Sequence, residues 1–169
     1  MIRMVTRWVN DIKIGRAFAR YPEAVAQAMA QGLYIEAEHI IGDAKELVPV
    51  DMGALKASGY VDLPKVEGRR VVVELGFGGP AAPYAVHVHE GTRPRIQTGA
   101  KPPPIGPLKE WARRVLRDES LAYAVQRKIV MRGTEPRKYL ETPYNARLQG
   151  FSQRMAERVR RRLAQEMAR

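Results

Sequence analysis

The chain has 169 residues, of which 29 are lysine or arginine and 18 are aspartate or glutamate, so its formal net charge is +11. It contains no cysteine, which excludes a disulfide scaffold, a thiolate zinc site and a cysteine nucleophile. Apolar runs such as Val71–Val73 are far shorter than the roughly 20 residues that cross a bilayer. Because the N-terminus also lacks the apolar region of a secretory signal, we expect a soluble protein with no membrane partner.

The first 21 residues are predicted to form an N-terminal arm. Apolar side chains alternate loosely between Ile2 and Ile14, which is typical of an edge strand or a docking arm. A long amphipathic helix follows, because Pro22 suits a first helical turn and apolar residues then recur at steps of three and four as far as Leu47. Pro49 is expected to end this helix.

A turn and three strands are predicted after the helix. Asp51 can accept hydrogen bonds from the backbone N–H groups that follow it, and Gly53 permits a tight turn. The segments 58–63 and 69–77 are predicted as strands joined by a hairpin connection, and 84–90 alternates as a third strand. Together with the helix, these strands predict an α+β fold: a small antiparallel sheet packed on a long amphipathic helix.

Regular structure is not predicted between 92 and 107, where five of the twelve prolines lie. Loops of this length are uncommon in compact domains and are usually functional or disordered. Two helices, 107–117 and 120–131, and a turn at 132–136 are predicted next, before a last helix with one apolar stripe. We therefore predict a single domain, 1–169, composed of the arm 1–21, the α+β core 22–143 with its Pro-rich loop 92–107 and inserted helices 107–131, and the basic C-terminal helix 144–169.

The excess of basic residues favours an anionic partner, such as nucleic acid or an acidic protein surface. Arginine is informative here, because its guanidinium makes two-point contacts with phosphate or carboxylate groups. The alternative is a solvated surface, which is the usual role of a charge run. The candidate contacts to partner proteins or DNA lie in the loop and on the last helix: Arg93, Arg95, Lys101, Arg154, Arg158, Arg161 and Arg162.

The residues that are able to do chemistry form one weak cluster. His87 and His89 lie on the same side of the predicted strand and Glu90 on the other, so a metal ion would lack a third ligand. A ribonuclease that uses His87, His89 and Glu90 for acid–base work is an alternative function, although no nucleophile or phosphate cradle accompanies them. A simple DNA-binding module is another. The sequence otherwise predicts no catalytic residue, no metal site and no cofactor.

Three short segments occur in a recognisable order: AKELVPVDMGALKAS at 44–58, YAVHVHEGT at 84–92 and PRKYLETP at 136–143. They resemble the gene-product-ten-like tail-component family of tailed bacteriophages, whose relatives include the minor tail protein Z group. The family pattern is a helix ending in Ala-Pro-Val-Asp-Thr-Gly-x-Leu-x-x-Ser, a strand Tyr-Ala-x-x-Val-Glu/His-x-Gly-Thr, and a proline, an aromatic residue and a leucine before the closing helix. Met52 and Tyr139 stand where the family usually has Thr and Phe.

The resemblance implies a structural protein, not an enzyme, that acts in head–tail joining or tail completion at the neck or the head-proximal end of the tail. Members act as rings, commonly sixfold, through which the viral DNA passes. The implied partners are further copies of the chain, adjoining neck or connector and tail-tube proteins, and DNA through non-specific contacts. The implied location is the virion, with the host cytoplasm during assembly. We expect Pro49, Asp51, Gly53 and Gly91 to shape turns of the fold.

Overall fold

The computed structural model describes residues 2–7, 22–67 and 70–168. Its longest element is helix α1 (Pro22–Leu47), which begins at the predicted proline and ends two residues before Pro49. The short helix α2 (Ala54–Ala57) follows it in the chain. Buried side chains recur along α1 every three or four residues and form one face of the core. The predicted long amphipathic helix is therefore confirmed. The members of this buried face are Val25, Ala28, Met29, Leu33, Ala37, Ile40, Ile41 and Ala44.

A four-stranded antiparallel sheet packs on α1, so the predicted α+β fold is confirmed. Its strands are β1 (Ile2–Arg7), β2 (Tyr60–Val61), β3 (Lys65–Glu67) and β4 (Arg70–Phe77). The central strand is β4, which pairs with β1 along one edge and with both β2 and β3 along the other. Alternate residues of β4 are buried against the helix: Val71, Val73, Leu75 and Phe77.

The sequence located the strands only in part. The predicted strand 69–77 is confirmed by β4, and the predicted edge strand at the N-terminus is confirmed for residues 2–7, whereas 8–21 lie outside the described residues. The predicted strand 58–63 is shorter than expected, since only β2 is paired there. The predicted connection at 64–68 contains a further strand, β3, which pairs with the start of β4.

The third predicted strand, 84–90, is wrong, because this segment forms helix α3 (Ala85–Glu90). Its alternating valines favoured a strand, but tertiary packing overrides such a local preference. In the helix, Ala85 and His89 lie four residues apart and are both buried, whereas His87 is exposed. The Tyr139 hydroxyl donates a hydrogen bond to the Ala85 carbonyl at 3.0 Å and ties α3 to the core.

The helices between α3 and residue 132 form a separate unit, residues 93–132, which is named the insertion below. Its two predicted helices are confirmed, with a π-helical turn at the end of the first and a 3₁₀ turn before the second. The loop 92–107 also contains one short helical turn. The elements are α4 (Arg95–Thr98), α5 (Ile105–Trp111) continued by the π turn Ala112–Leu116, the 3₁₀ turn Glu119–Leu121, and α6 (Ala122–Arg132).

The predicted C-terminal helix consists of two helices, α7 (Glu141–Leu148) and α8 (Phe151–Met167). They are separated at Gly150, whose φ of +68° is in the left-handed region that interrupts a helix. Helix α8 packs on α1 through Met155 and Val159, which are both buried. Within the described part of the chain, the structure contains no helix that is both long and apolar enough to cross a bilayer.

Candidate functional site

The turn after α1 contains three residues that the sequence singled out. Gly53 has the expected left-handed backbone, with a φ of +81°, and its carbonyl accepts the N–H of Ala57 at 2.9 Å. Pro49 is exposed just beyond α1. The predicted role of Asp51 is wrong, because the hydrogen bonds described for its carboxylate come from Arg114 and not from the backbone that follows it.

The pair formed by Asp51 and Arg114 joins the turn to the insertion and is named the latch below. Arg114 Nε donates to Asp51 Oδ1 at 2.8 Å, and Nη2 donates to Oδ2 at 2.6 Å. The hydrogen bonds and charge of Arg114 lower the pKa of Asp51 from its ordinary value, so the carboxylate stays ionised at neutral pH. No sequence pattern predicts this contact, because the two residues are 63 positions apart.

Two glycines flank the point where the chain enters and leaves the insertion. Between them, Thr92 and Thr134 form an antiparallel bridge, with N···O distances of 3.0 and 3.1 Å, and their hydroxyl oxygens lie 3.0 Å apart. We name this pairing the Thr92–Thr134 bridge. Gly91 and Gly133 have φ values of +70° and +73°, and a Cβ on either glycine would overlap the carbonyl oxygen of the opposite strand. The predicted role of Gly91 is confirmed, and Gly133 is a fold-determining residue that the sequence did not single out.

The insertion has almost no core of its own. Only Ala112 and Ala122 are buried among residues 93–132. Its helices pack mainly on one another, and none of its residues belongs to the large hydrophobic cluster formed by α1, the sheet and α8. Large apolar side chains are instead exposed across it: Ile96, Val115, Leu116, Leu121, Tyr123 and Met131. An exposed set of this kind is typical of an interaction surface.

The insertion also carries most of the excess positive charge. It has ten lysine or arginine residues and three aspartate or glutamate residues, so its net charge is +7. Glu119 neutralises part of this charge, because it pairs with Arg113 and lies 3.4 Å from Lys109. The three basic side chains of α6 make no ion pair with the described residues: Arg127, Lys128 and Arg132. The insertion is thus both basic and apolar on its outside.

The three basic residues predicted as contacts in the loop have different surroundings. Arg93 and Lys101 are exposed. Arg95 is partly buried and donates to the carbonyl of Lys101, so its guanidinium holds the loop around α4 in place. A second hydrogen bond, from Gln126 Nε2 to the Pro103 carbonyl at 2.7 Å, fastens the Pro-rich stretch to α6. Arg93 and Lys101 remain candidates for partner contacts, and Arg95 has a structural role.

The candidate arginines of α8 also divide by their surroundings. Arg154 is bound to Glu36 of α1, and Arg162 lies 3.2 Å from Gln27 and 2.9 Å from Glu166. Arg158 packs beside Gly32 of α1. Arg161 is exposed and has no ion pair with the described residues, and it lines an open groove of about 560 Å³ on the outside of α8. Of these four arginines, Arg161 is the one that is free for an external contact.

His87 and His89, the two candidate histidines, have different surroundings because the segment is a helix and not a strand. His87 is exposed, whereas His89 is 2% exposed and its ring meets that of Tyr139 edge to face, with centroids 4.9 Å apart. Burial lowers the pKa of His89, the charge of Lys138 lowers it further, and Glu90 and Glu141 oppose these effects. The two imidazoles are therefore not arranged to act together on one phosphate.

Glu141 lies beside His89 and Glu90 in the fold, whereas His87 is not part of this cluster. Its carboxylate lies 3.9 Å from His89 Nε2, and the Glu90 carboxylate lies 3.5 Å from the same atom. These three side chains have the donor types that a divalent cation such as Zn²⁺ accepts. The Lys138 ammonium already contacts both carboxylates, at 2.7 and 3.0 Å, so the cluster is held together as an ion-pair network.

A small pocket lies between α1, β4 and α7 and has a volume of about 20 Å³, which is room for about one water molecule. Its walls are mainly apolar, with Glu36 and Arg147 as the charged lining residues. It is therefore a packing feature and not a substrate site. No protein-family model, curated protein or solved structure matches the chain. The surface of the insertion is the feature that the fold leaves without a structural role.

Proposed function

We propose that this chain is a structural protein of the head–tail neck, or of the head-proximal tail end, of a tailed bacteriophage. In this role it assembles with further copies of itself into a ring around the DNA channel and contacts the adjoining connector and tail-tube proteins. Its work is head–tail joining or tail completion, and it is done by fitted surfaces, without catalysis. The protein would be found in the virion, and in the host cytoplasm during assembly.

The observation that carries this proposal is the surface of the insertion. Six large apolar side chains are exposed within 40 residues that bury only two alanines. Fully burying an exposed side chain of this size gains roughly 1.5–3 kcal/mol. Because these six are 39–64% exposed, covering each one gains about half as much, and a partner that covers several of them is favoured. A chain with this surface is better suited to an assembly than to life as an isolated monomer.

The segments that resemble the phage family support the proposal in a second way, because they build the core. Each of the three contributes buried residues to one hydrophobic cluster, such as Leu55, Ala85 and Tyr139. The second and third segments are also joined by several hydrogen bonds, among them those from the Tyr139 hydroxyl to the Ala85 carbonyl and from the Leu140 N–H to His89 Nδ1. Such motif residues preserve a fold, which leaves the function to the surface.

The test is a nonsense mutation in the gene of the phage that encodes this chain, examined by electron microscopy and by mass spectrometry of purified particles. We expect the chain in wild-type particles, as a ring between the head and the tail tube. Particles made without it should consist of separate heads and tails, or of tails with unfinished ends. Supplying the wild-type gene in trans should restore infectious particles. Complete and infectious particles that lack the chain would contradict the proposal.

A further inference from the structure

The insertion and helix α1 have opposite charges on their exposed surfaces. The insertion has a net charge of +7, whereas the 92 residues that precede it have ten basic and eleven acidic side chains. The exposed face of α1 carries four carboxylates, and the one lysine of this helix lies partly buried against Gly59. These four acidic residues are Glu23, Glu38, Asp43 and Glu46. Asp43 and Glu46 already have partners in the same chain, Arg147 at 3.4 Å and Lys56 at 3.1 Å, whereas Glu23 and Glu38 make no ion pair with the described residues.

Helix α1 also contains a glycine that the fold does not need. Gly32 has an internal reason to be small, since a Cβ there would lie 2.8 Å from the side chain of Met155. Gly42 has none, because it is exposed and the position of its Cβ is in open space. A glycine inside a helix costs about 1 kcal/mol relative to alanine. This cost is offset if another chain approaches the helix closely at this point.

We propose that the insertion of one copy docks on the exposed face of α1 of a second copy, around Gly42. The inference rests on the proposed ring and names the two surfaces that form it. Because the two surfaces are different, the contact is head to tail, and repeating it produces a closed ring when the rotation between copies allows closure. The apolar side chains supply the core of the interface, and the basic side chains of α6 pair at its rim with Glu38 and with Glu46, whose side chain is 77% exposed although Lys56 already contacts it.

A second copy fits the insertion better than a DNA duplex does. Phosphate groups are bound by charged and polar side chains, and such contacts do not cover large apolar ones. Tyr123, Met131 and Ile96 are between 51% and 64% exposed, and they stand among the basic residues of the insertion. A protein surface that is acidic and open at its centre covers both kinds of side chain. The face of α1 meets this description.

The first experiment is a charge exchange in the full chain, followed by sedimentation velocity over a range of concentrations. One variant combines Arg127→Glu with Lys128→Glu, and the other combines Glu38→Lys with Glu46→Lys. Each variant alone should associate at least tenfold more weakly than the wild type, because like charges then face each other. An equal mixture of the two should recover the wild-type assembly, since every contact in an alternating ring again joins opposite charges.

The second experiment uses the absence of native cysteine. Single-cysteine variants Gly42→Cys and Ala124→Cys, mixed and treated with a short bismaleimide, should give a cross-linked dimer. Ala164→Cys, on the exposed face of α8, replaces Gly42→Cys in the control and should give none. Circular dichroism of each variant shows that it is folded.

Three results would overturn the inference, and each leaves the virion test of the proposed function to be decided separately. The first is a wild-type assembly that both charge variants form equally well. The second is a wild-type chain that stays monomeric at every concentration. The third is a monomer that binds a short DNA duplex and loses this binding in the Arg127→Glu and Lys128→Glu variant, which would assign the insertion to DNA.

Discussion

Arg154 in α8 holds Glu36 in α1 through two hydrogen bonds of 2.9 Å, from Nε to Oε1 and from Nη2 to Oε2. The same guanidinium donates to the carbonyls of Arg147 and Gln149, at 2.6 and 2.8 Å, where α7 ends and α8 begins. Burial alone would raise the pKa of Glu36, which is 4% exposed, but the hydrogen bonds and charges of Arg154 and its neighbours lower it. Arg154 therefore joins three helices and is not a contact for partners.

Replacing Arg154 by leucine should destabilise the fold, because a buried carboxylate would be left without its partner. We expect Arg154→Leu to lower the free energy of unfolding by about 3 kcal/mol, at the lower end of the range for a buried pair because the Arg154 side chain is 37% exposed. Urea denaturation measures this value. The matched control is Arg161→Leu, about two turns away on the same helix and exposed, which should change the free energy of unfolding little.

A double variant, with both Glu36 and Arg154 replaced, tests whether the loss of stability comes from the unpaired carboxylate. Replacing both Glu36 and Arg154 by leucine removes the buried charge together with its partner, so it should be more stable than Arg154→Leu alone. If Arg154→Leu is as stable as Arg161→Leu, the pair does not hold α8 to α1.

A second prediction concerns the pH dependence that comes from His89. Because burial lowers the pKa of this imidazole below its ordinary 6.5, the unfolded chain takes up a proton more readily than the folded chain. The stabilising contribution is therefore complete above about pH 6.5 and is lost as the pH falls through the folded pKa, with a slope of at most about 1.4 kcal/mol per pH unit. We expect His89→Gln to remove this slope below about pH 6.5.

Urea denaturation at several pH values measures the slope, and His87→Gln serves as the control because His87 is exposed on the same helix. The control should retain the wild-type slope. Both variants should still lose stability below about pH 4.5, where carboxylates such as Glu36 and Glu90 with lowered pKa values take up protons. An unchanged slope in His89→Gln would show that another group is responsible.

A third prediction tests the Thr92–Thr134 bridge. Gly133 has φ +73° and ψ −159°, a combination that is essentially confined to glycine, and a Cβ there would overlap the Thr92 carbonyl. We expect Gly133→Ala to lower the free energy of unfolding by about 3 kcal/mol or more, since strain of this kind alone costs about 1–3 kcal/mol. Hydrogen exchange of the Thr92 and Thr134 amides should also become faster.

Gly99 offers the matched control for the Gly133→Ala variant, because it has a φ of +66° but open space where its Cβ would stand. Gly99→Ala should therefore cost about 1–2 kcal/mol, the penalty of a left-handed backbone alone. If Gly99→Ala and Gly133→Ala lose equal amounts of stability, the close approach of the two segments at the Thr92–Thr134 bridge contributes nothing to the cost of the Gly133 substitution.

The parts of the fold that the sequence predicted correctly are those with a regular apolar period. Helix α1 has buried residues at steps of three and four along its length, and β4 buries alternate residues, so each period directly reports one buried face. The segment YAVHVHE has a period of two as well, yet it is helical because Ala85 and His89 pack against Tyr139. A short segment carries too few repeats for its period to outweigh such tertiary contacts.

The candidate site was harder to predict, because it depends on pairs that are distant in the chain. Arg154 looks like a surface arginine in the sequence, and its partner Glu36 is 118 positions away. No sequence pattern places Glu141 beside His89 either, because these two residues are also far apart in the chain. The prolines of the loop 92–107 did indicate an unusual segment, although they did not show that the apolar side chains of the insertion remain exposed.

The last prediction concerns the latch between Asp51 and Arg114. Because the Arg114 and Asp51 side chains are 44% and 39% exposed, solvent screens their pair, and breaking it should leave the midpoint of global unfolding unchanged while freeing the insertion from the turn after α1. We expect chymotrypsin to cleave Arg114→Gln several-fold faster at Trp111 and Tyr123 than it cleaves the wild type.

The control is Arg113→Gln, which breaks a pair with Glu119 inside the insertion and should be cleaved at the wild-type rate. High salt should accelerate cleavage of the wild type and not of Arg114→Gln, because screening weakens a pair that the variant has already lost. Equal cleavage rates in Arg114→Gln and Arg113→Gln would mean that the Thr92–Thr134 bridge alone positions the insertion.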